Sequence, residues 1–109
     1  MKILKFLLIL SLCIILKTQT LFADEAKMSK GLEIFNETAG CAACHVLKAA
    51  GSEGNIGPNL DTVEGLNYDS VMDIVTHGLG VMPAFGEDEI LTKEEIDIVS
   101  FYVSNSVSK

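Results

Sequence analysis

Arginine is absent from the sequence, and all eight of its strongly basic residues are lysines. Fifteen aspartates and glutamates outnumber them and give a formal net charge of −7. An acidic chain without arginine is poorly suited to phosphate backbones, so no nucleic-acid partner is expected. Alternating apolar and polar residues and internal repeats are also missing, which argues against sheet and repeat architectures.

Cysteine is scarce, with three residues in a chain of 109. Cys13 lies in the apolar N-terminal run, so only Cys41 and Cys44 remain in the rest of the chain. Two cysteines are too few for the disulfide framework of many small exported domains. Because so small a domain has a limited core, a stabilising cofactor is expected.

The first 23 residues are typical of an export signal. Lys2 and Lys5 precede an apolar run over 6–16, and Ala23 places a small residue at the cleavage site. We predict a signal peptide over 1–23 and a periplasmic domain over 24–109.

A retained membrane anchor is the alternative to cleavage. The apolar run spans only about half of a ~30 Å hydrocarbon core. Lys17 interrupts its continuation, although Leu21 is larger than the residue usually found two positions before a cleavage site. Membrane association is therefore expected only if the N-terminal segment is retained.

Apolar residues at helical spacing predict an all-α domain with three to four short helices and long loops. The helices with the clearest spacing lie over 28–36, 68–76 and 92–104. Asn67 is the predicted N-cap of the second, and Thr92 with Glu95 forms a capping box before the third. The segment over 48–65 has no apolar period and is predicted to be a loop, and a loop this long usually wraps something. A second loop is predicted over 77–86.

The first and last helices are predicted to cross in contact. Gly31 has no side chain, so another helix can approach closely there, with Phe35 one turn later. Ile98 and Tyr102 lie one turn apart on the last helix and are the expected partners.

Residues 41–45 read Cys-Ala-Ala-Cys-His. Two thiols at this spacing can add to the two vinyl groups of one porphyrin, and the histidine then lies under the iron. The motif predicts one covalently attached haem c per chain, bound through Cys41 and Cys44 with His45 as an axial ligand. The export signal favours haem, because c-type haem is attached outside the cytoplasm.

Three other interpretations of the motif fit the sequence less well than haem does. A thioredoxin-like redox pair needs a βαβ context that the sequence lacks. A zinc site would use Cys41, Cys44, His45 and His77, but adjacent Cys44 and His45 do not match zinc-finger spacing. A disulfide between Cys41 and Cys44 would be strained and would close only a short loop.

The residue opposite His45 decides whether the iron is closed to external ligands. Met82 is the preferred candidate, because it lies in a glycine-flanked loop directly before a proline that fixes the backbone. His77 is the main alternative, although a histidine at a helix end more often contacts the helix terminus or solvent. Met72 lies in a helical stretch, where methionine more often fills the core, and Met28 lies at the start of the predicted mature chain.

Five segments carry a family resemblance: Gly31-x-x-x-Phe35, Cys41-Ala-Ala-Cys-His45, Gly57-Pro58-Asn59-Leu60, Val81-Met82-Pro83-Ala84-Phe85, and Glu95-Ile96 with Tyr102-Val103. Over about residues 28–105 the chain resembles a small bacterial class I cytochrome c, a mono-haem c-type cytochrome. The resemblance implies the corresponding fold around haem, with His45 and Met82 as axial ligands and the Pro58 carbonyl accepting a hydrogen bond from the His45 ring. Without arginine, the candidates for holding the haem propionates are Tyr68, Asn67 and Lys48.

The expected function is a periplasmic electron carrier between respiratory complexes, for example from a quinol-oxidising complex to a terminal oxidase or reductase. No small-molecule substrate is expected, so the protein is not expected to be an enzyme. Two alternatives stay open: a haem subunit dedicated to one dehydrogenase, and a ligand-binding or catalytic haem protein with an open iron site.

Charge indicates the kind of redox partner. From Asp24 onward, fifteen acids and five lysines give a formal charge of −10. Glu87, Asp88 and Glu89 follow Met82 closely and are expected near the haem edge. A partner with a basic docking surface is therefore expected.

Overall fold

Three α-helices form the framework of the chain, which the computed structural model describes over residues 1–107. They are α1 (Lys2–Glu33), α2 (Tyr68–His77) and α3 (Lys93–Ser106). A π turn (Ile34–Thr38) and two 3₁₀ turns (Cys41–Ala43 and Lys48–Ala50) follow α1. The predicted all-α class with long loops is confirmed, and residues 108 and 109 of the predicted domain lie outside the described residues.

The helix α1 is much longer than the predicted helix over 28–36. It is continuous from Lys2, because no glycine or proline precedes Gly31 to interrupt the helical run. It continues as the π turn, so its α-helical part ends three residues earlier than predicted. By length and composition its N-terminal part is able to cross a membrane, a property that signal sequences share.

The helices α1 and α3 cross at Gly31, as predicted. A Cβ atom on Gly31 would lie 2.3 Å from the Tyr102 Cβ and 3.1 Å from the Ile98 carbonyl oxygen, so only glycine allows this approach. Beside it, the rings of Phe35 and Tyr102 pack with their centroids 6.0 Å apart. This crossing places the segment after α1, which carries the two cysteines, against the helical core.

Both predicted N-caps are present. The Ser70 N–H donates to the Asn67 side chain at 3.0 Å, and the Asn67 N–H donates to the Ser70 hydroxyl at 3.0 Å. At α3 the Glu95 N–H donates to the Thr92 hydroxyl at 3.1 Å, and the Glu95 carboxylate accepts from the Thr92 N–H at 2.9 Å. Such caps satisfy donors that the first helical turn leaves free, each contributing about 0.5–2 kcal/mol.

Two short strands, β1 (Val46–Leu47) and β2 (Ser52–Glu53), form an antiparallel pair that the sequence did not predict. A two-residue strand is too short to show an alternating pattern. The buried Ser52 hydroxyl accepts a hydrogen bond from the Leu47 N–H at 2.9 Å and closes the pair. The pair thus gives fixed structure to the start of the predicted loop over 48–65.

A polar cluster joins all three helices on the side of α3 that bears Asp97. The Lys27 ammonium of α1 lies 2.8 Å from the Asp97 carboxylate, and the Tyr68 hydroxyl of α2 donates to the same carboxylate. Lys27 also lies 4.7 Å from the centroid of the Phe101 ring. The cluster links the three helices, two of which form walls of the cavity described next.

Candidate cofactor-binding site

A cavity of about 420 Å³ lies between α2, α3 and the loops that follow α1 and α2. Cys41, Cys44, His45, Pro58 and Met82, the five residues predicted to bind the cofactor, all line it. The other described residues of its wall are apolar side chains and glycines. A cavity of this size and character is typical of sites that bury a largely apolar cofactor.

The two cysteines lie on a tight turn after α1. Gly40 adopts a left-handed conformation, with φ of 69°, and is the N-cap of the 3₁₀ turn that starts at Cys41. The Cys44 and His45 N–H groups both donate to the Cys41 carbonyl, at 3.1 and 3.0 Å. Both thiols are free, and burial raises the pKa of the Cys41 thiol to about 11, so it is neutral at ordinary pH.

The His45 ring is oriented by backbone groups. Its Nδ1 lies 2.7 Å from the Pro58 carbonyl oxygen, the contact that the family resemblance implied. Since a carbonyl only accepts, Nδ1 carries the proton and the lone pair of Nε2 is left available. Gly57 packs against the ring so closely that a Cβ there would lie 2.6 Å from His45 Cε1.

Met82 lies on a reverse turn tied to the end of α2. The Met82 N–H donates to the Leu79 carbonyl at 3.0 Å, and Gly78, with φ of 75°, lets the chain fold back. A Cβ on Gly78 would lie 2.7 Å from the Met82 carbonyl oxygen, so a larger residue would displace this turn. The turn thus fixes the segment that brings the Met82 side chain to the cavity wall.

The other candidate ligands lie outside the cavity wall. His77 is exposed, and its Nδ1 lies 2.6 Å from a Glu87 carboxylate oxygen. Met72 and Met28 pack against the hydrophobic core instead. Within residues 1–107, no group of three or more histidine, cysteine, aspartate or glutamate side chains is placed to hold a metal ion.

The residues expected to hold the haem propionates are not at the cavity. None of the three candidates is part of its wall. Tyr68 donates to Asp97, and the Asn67 side chain caps α2, so both are engaged elsewhere. The backbone N–H of Lys48 donates to the Asp61 carboxylate. Of the three candidates, only Lys48 has a side chain with no hydrogen bond described elsewhere in the structure.

The comparisons with known proteins agree with this geometry. Residues 26–103 match the family model described as cytochrome c oxidase, cbb3-type, subunit III. The chain belongs to this family of c-type cytochrome domains. The crystal structure of the c-type cytochrome SorU from Sinorhizobium meliloti is similar to it, with 45% sequence identity and a TM-score of 0.69. The match covers 78% of this chain and 95% of SorU, and no curated protein matches.

A c-type cytochrome carries covalently bound haem, and the cavity of this cytochrome fits that group. Two thiols, one oriented imidazole and one thioether meet around an otherwise apolar wall. Cys41 and Cys44 would attach the haem and His45 would ligate its iron, which supplies one-electron redox chemistry. The fold and the cofactor class that the sequence predicted are thus correct.

Sequence reasoning missed most of the cavity wall. Val71, Ile74 and Val75 of α2 and Val99 and Val103 of α3 line the cavity. All five lie within the helices predicted over 68–76 and 92–104 and are apolar residues at helical spacing. A stripe that packs against protein and one that packs against a cofactor have the same spacing, so the sequence held no signal to separate them.

Proposed function

We propose that this cytochrome is an exported, mono-haem electron carrier with a closed iron, acting in the periplasm between respiratory complexes. The observation that carries the proposal is the common cavity of His45 and Met82, together with the hydrogen bond that leaves His45 Nε2 free to ligate. If His45 and Met82 both ligated the iron, no iron position would remain for a substrate. Such a centre exchanges electrons and performs no chemistry on a bound molecule.

The N-terminal segment of this proposal is a cleaved signal peptide. Its short basic start, its apolar run and Ala23 support cleavage before Asp24. Intact-mass measurement of the protein purified from the periplasm should give residues 24–109 plus one haem that survives acid–acetone extraction. A haem-free polypeptide, or one that binds zinc, would contradict the proposal.

A haem subunit of a membrane-bound complex is the second candidate. The continuous helix α1, which is able to cross a membrane, and the family's description as an oxidase subunit favour it. This candidate predicts an intact N-terminus and a haem protein that stays with membranes after washing with high salt and alkaline carbonate. Recovery of the shortened haem protein from the soluble periplasmic fraction would exclude it.

The redox partner in this proposal has a basic docking surface. The formal charge of −10 from Asp24 onward supports it, as do the exposed residues Glu87, Asp88 and Glu89 on the segment that follows Met82. Attraction between opposite charges raises the encounter rate, and salt screens it over about 8–10 Å. Electron transfer to the partner should therefore slow as ionic strength rises.

A further inference from the structure

The segment over 77–87, called the Met82 loop from here on, is closed at its base by both backbone and side-chain contacts. The Glu87 N–H donates to the Thr76 carbonyl at 3.1 Å, which ties the end of the loop to the last turn of α2. At the same point, Nδ1 of His77 lies 2.6 Å from a Glu87 carboxylate oxygen. The first and last residues of the loop are therefore joined directly, with Met82 midway between them.

The residue that closes the loop is titratable and lies between two carboxylates. Glu87 faces Nδ1 of His77 from the loop, and Asp73 of α2 lies 3.7 Å from Nε2. The hydrogen bond to Glu87, with added attraction from the Glu87 and Asp73 charges, raises the pKa of His77. The His77 side chain is 55% exposed, so it exchanges protons freely with solvent. The closure thus carries a positive charge that depends on pH.

We propose that His77 is a positioning residue whose proton couples the Met82 loop to the redox state of the iron. The protonated ring pairs with Glu87, keeps the base of the loop closed and places one positive charge on it. When a donor supplies one electron to the iron, His77 takes up a fraction of one proton from solvent. The inference rests on the proposed function, because it takes Met82 as the ligand opposite His45.

Two physical effects of losing this proton have the same sign. Removal of a positive charge from the loop favours the oxidised, more positive iron. An opened loop base also holds the Met82 thioether less firmly, and a thioether stabilises reduced iron. The reduction potential should therefore fall as pH rises through the pKa of His77.

The coupling should be small, because water screens a half-exposed charge. We expect the reduced protein to bind the His77 proton about twofold more tightly than the oxidised protein. Coupling between two binding events is reciprocal, so the same factor applies to the electron. For one electron, a twofold factor is about 18 mV between the potentials at low and high pH.

The pH dependence of the haem protein tests this coupling in two independent ways. The chain has only two histidines, and the ring of His45 is bonded to the Pro58 carbonyl, so NMR can follow the His77 ring alone. Titration from about pH 5 to about pH 9 should show tighter proton binding at His77 in the reduced protein. Redox titration over the same range should show the fall in potential, and equal proton affinities in the two redox states would overturn the proposal.

Two substitutions of His77 assign the effect to its charge. In His77→Gln, the potential should stay near the high-pH value of the parent across the whole range. In His77→Lys, which stays charged to about pH 10, it should stay near the low-pH value. A pH dependence that persists in His77→Gln would belong to another group and would overturn the proposal.

The variants Glu87→Gln and Asp88→Asn form a matched pair that removes one charge from neighbouring residues. Within the part of the chain that the structure describes, Asp88 makes no hydrogen bond or ion pair with His77. Glu87→Gln should therefore move the fall in potential to lower pH, whereas Asp88→Asn should leave it in place. Equal shifts in the two variants would show that net charge alone acts, and would overturn the pairing.

Failure of this inference is distinct from failure of the proposed function. An iron without a thioether ligand would lack the weak red band of the oxidised protein and would contradict the proposed closed iron. A parent protein that shows this band but has the same potential at low and high pH would overturn only the coupling through His77.

Discussion

At the scale of single residues, the orientation of His45 depends on backbone atoms rather than on another side chain. The Pro58 carbonyl accepts from Nδ1 at 2.7 Å, and the absence of a side chain on Gly57 leaves room for the ring. A hydrogen bond at this position fixes the tautomer and raises the basicity of a ligating imidazole. The short Gly-Pro segment therefore both positions and tunes the predicted ligand.

We predict that Gly57→Ala disturbs this ligand. The added Cβ would lie 2.6 Å from His45 Cε1 and 2.9 Å from Nδ1, so the ring must move away from the Pro58 carbonyl. The free energy of unfolding should fall by about 1–3 kcal/mol through overpacking. The reduction potential should rise, because the less basic imidazole stabilises oxidised iron less. Thermal denaturation and redox titration measure both effects, and a variant that matches the parent in both would contradict this account.

At the scale of elements, the helix crossing and the helix caps could be predicted, whereas the extent of α1 and the strand pair could not. Gly31 and the capping residues Asn67 and Thr92 are local signals with a definite geometry. The N-terminal boundary of a helix without glycine, proline or a cap has no such signal. The cavity depends on how α2 and α3 pack together, which the spacing within one helix does not specify.

Gly31→Val should destabilise the protein at the crossing of α1 and α3. Even the Cβ of the new residue would lie 2.3 Å from the Tyr102 Cβ, so the helices must separate. We expect a loss of about 1–3 kcal/mol in the free energy of unfolding, measured by chemical denaturation of the haem protein. Haem should remain attached, because Gly31 does not line the cavity. A midpoint equal to that of the parent would show that the crossing does not exist in solution.

The loop after Met82 should become more mobile as pH rises. The hydrogen bond to Glu87, with added attraction from the Glu87 and Asp73 charges, raises the pKa of His77. The bridge is therefore complete below the ordinary histidine pKa of about 6.5 and is lost as pH rises through the higher folded-state value. Hydrogen exchange at the Gly86 and Glu87 amides, corrected for intrinsic rates, should accelerate over that range. In His77→Gln the acceleration should disappear, and its persistence would assign it to another group.

At the scale of the whole molecule, charge is divided along the chain. Every acidic residue lies at Asp24 or later, whereas Lys2, Lys5 and Lys17 lie in the N-terminal apolar part of α1. Cleavage would remove those lysines and leave a strongly acidic haem protein, suited to basic partners and to fast, salt-sensitive encounters. The charge pattern and the cavity are thus both consistent with the electron-transfer function proposed above.

The visible spectrum of the oxidised protein tests the closed iron most directly. A thioether ligand gives ferric haem a weak band near the red end of the spectrum, so the parent protein and the control variant Met72→Ala should both show it. Met82→Ala should lose the band, bind carbon monoxide when reduced and have a lower reduction potential, because a thioether stabilises reduced iron. A parent protein that lacks the band and binds carbon monoxide would contradict the account and indicate an open haem site.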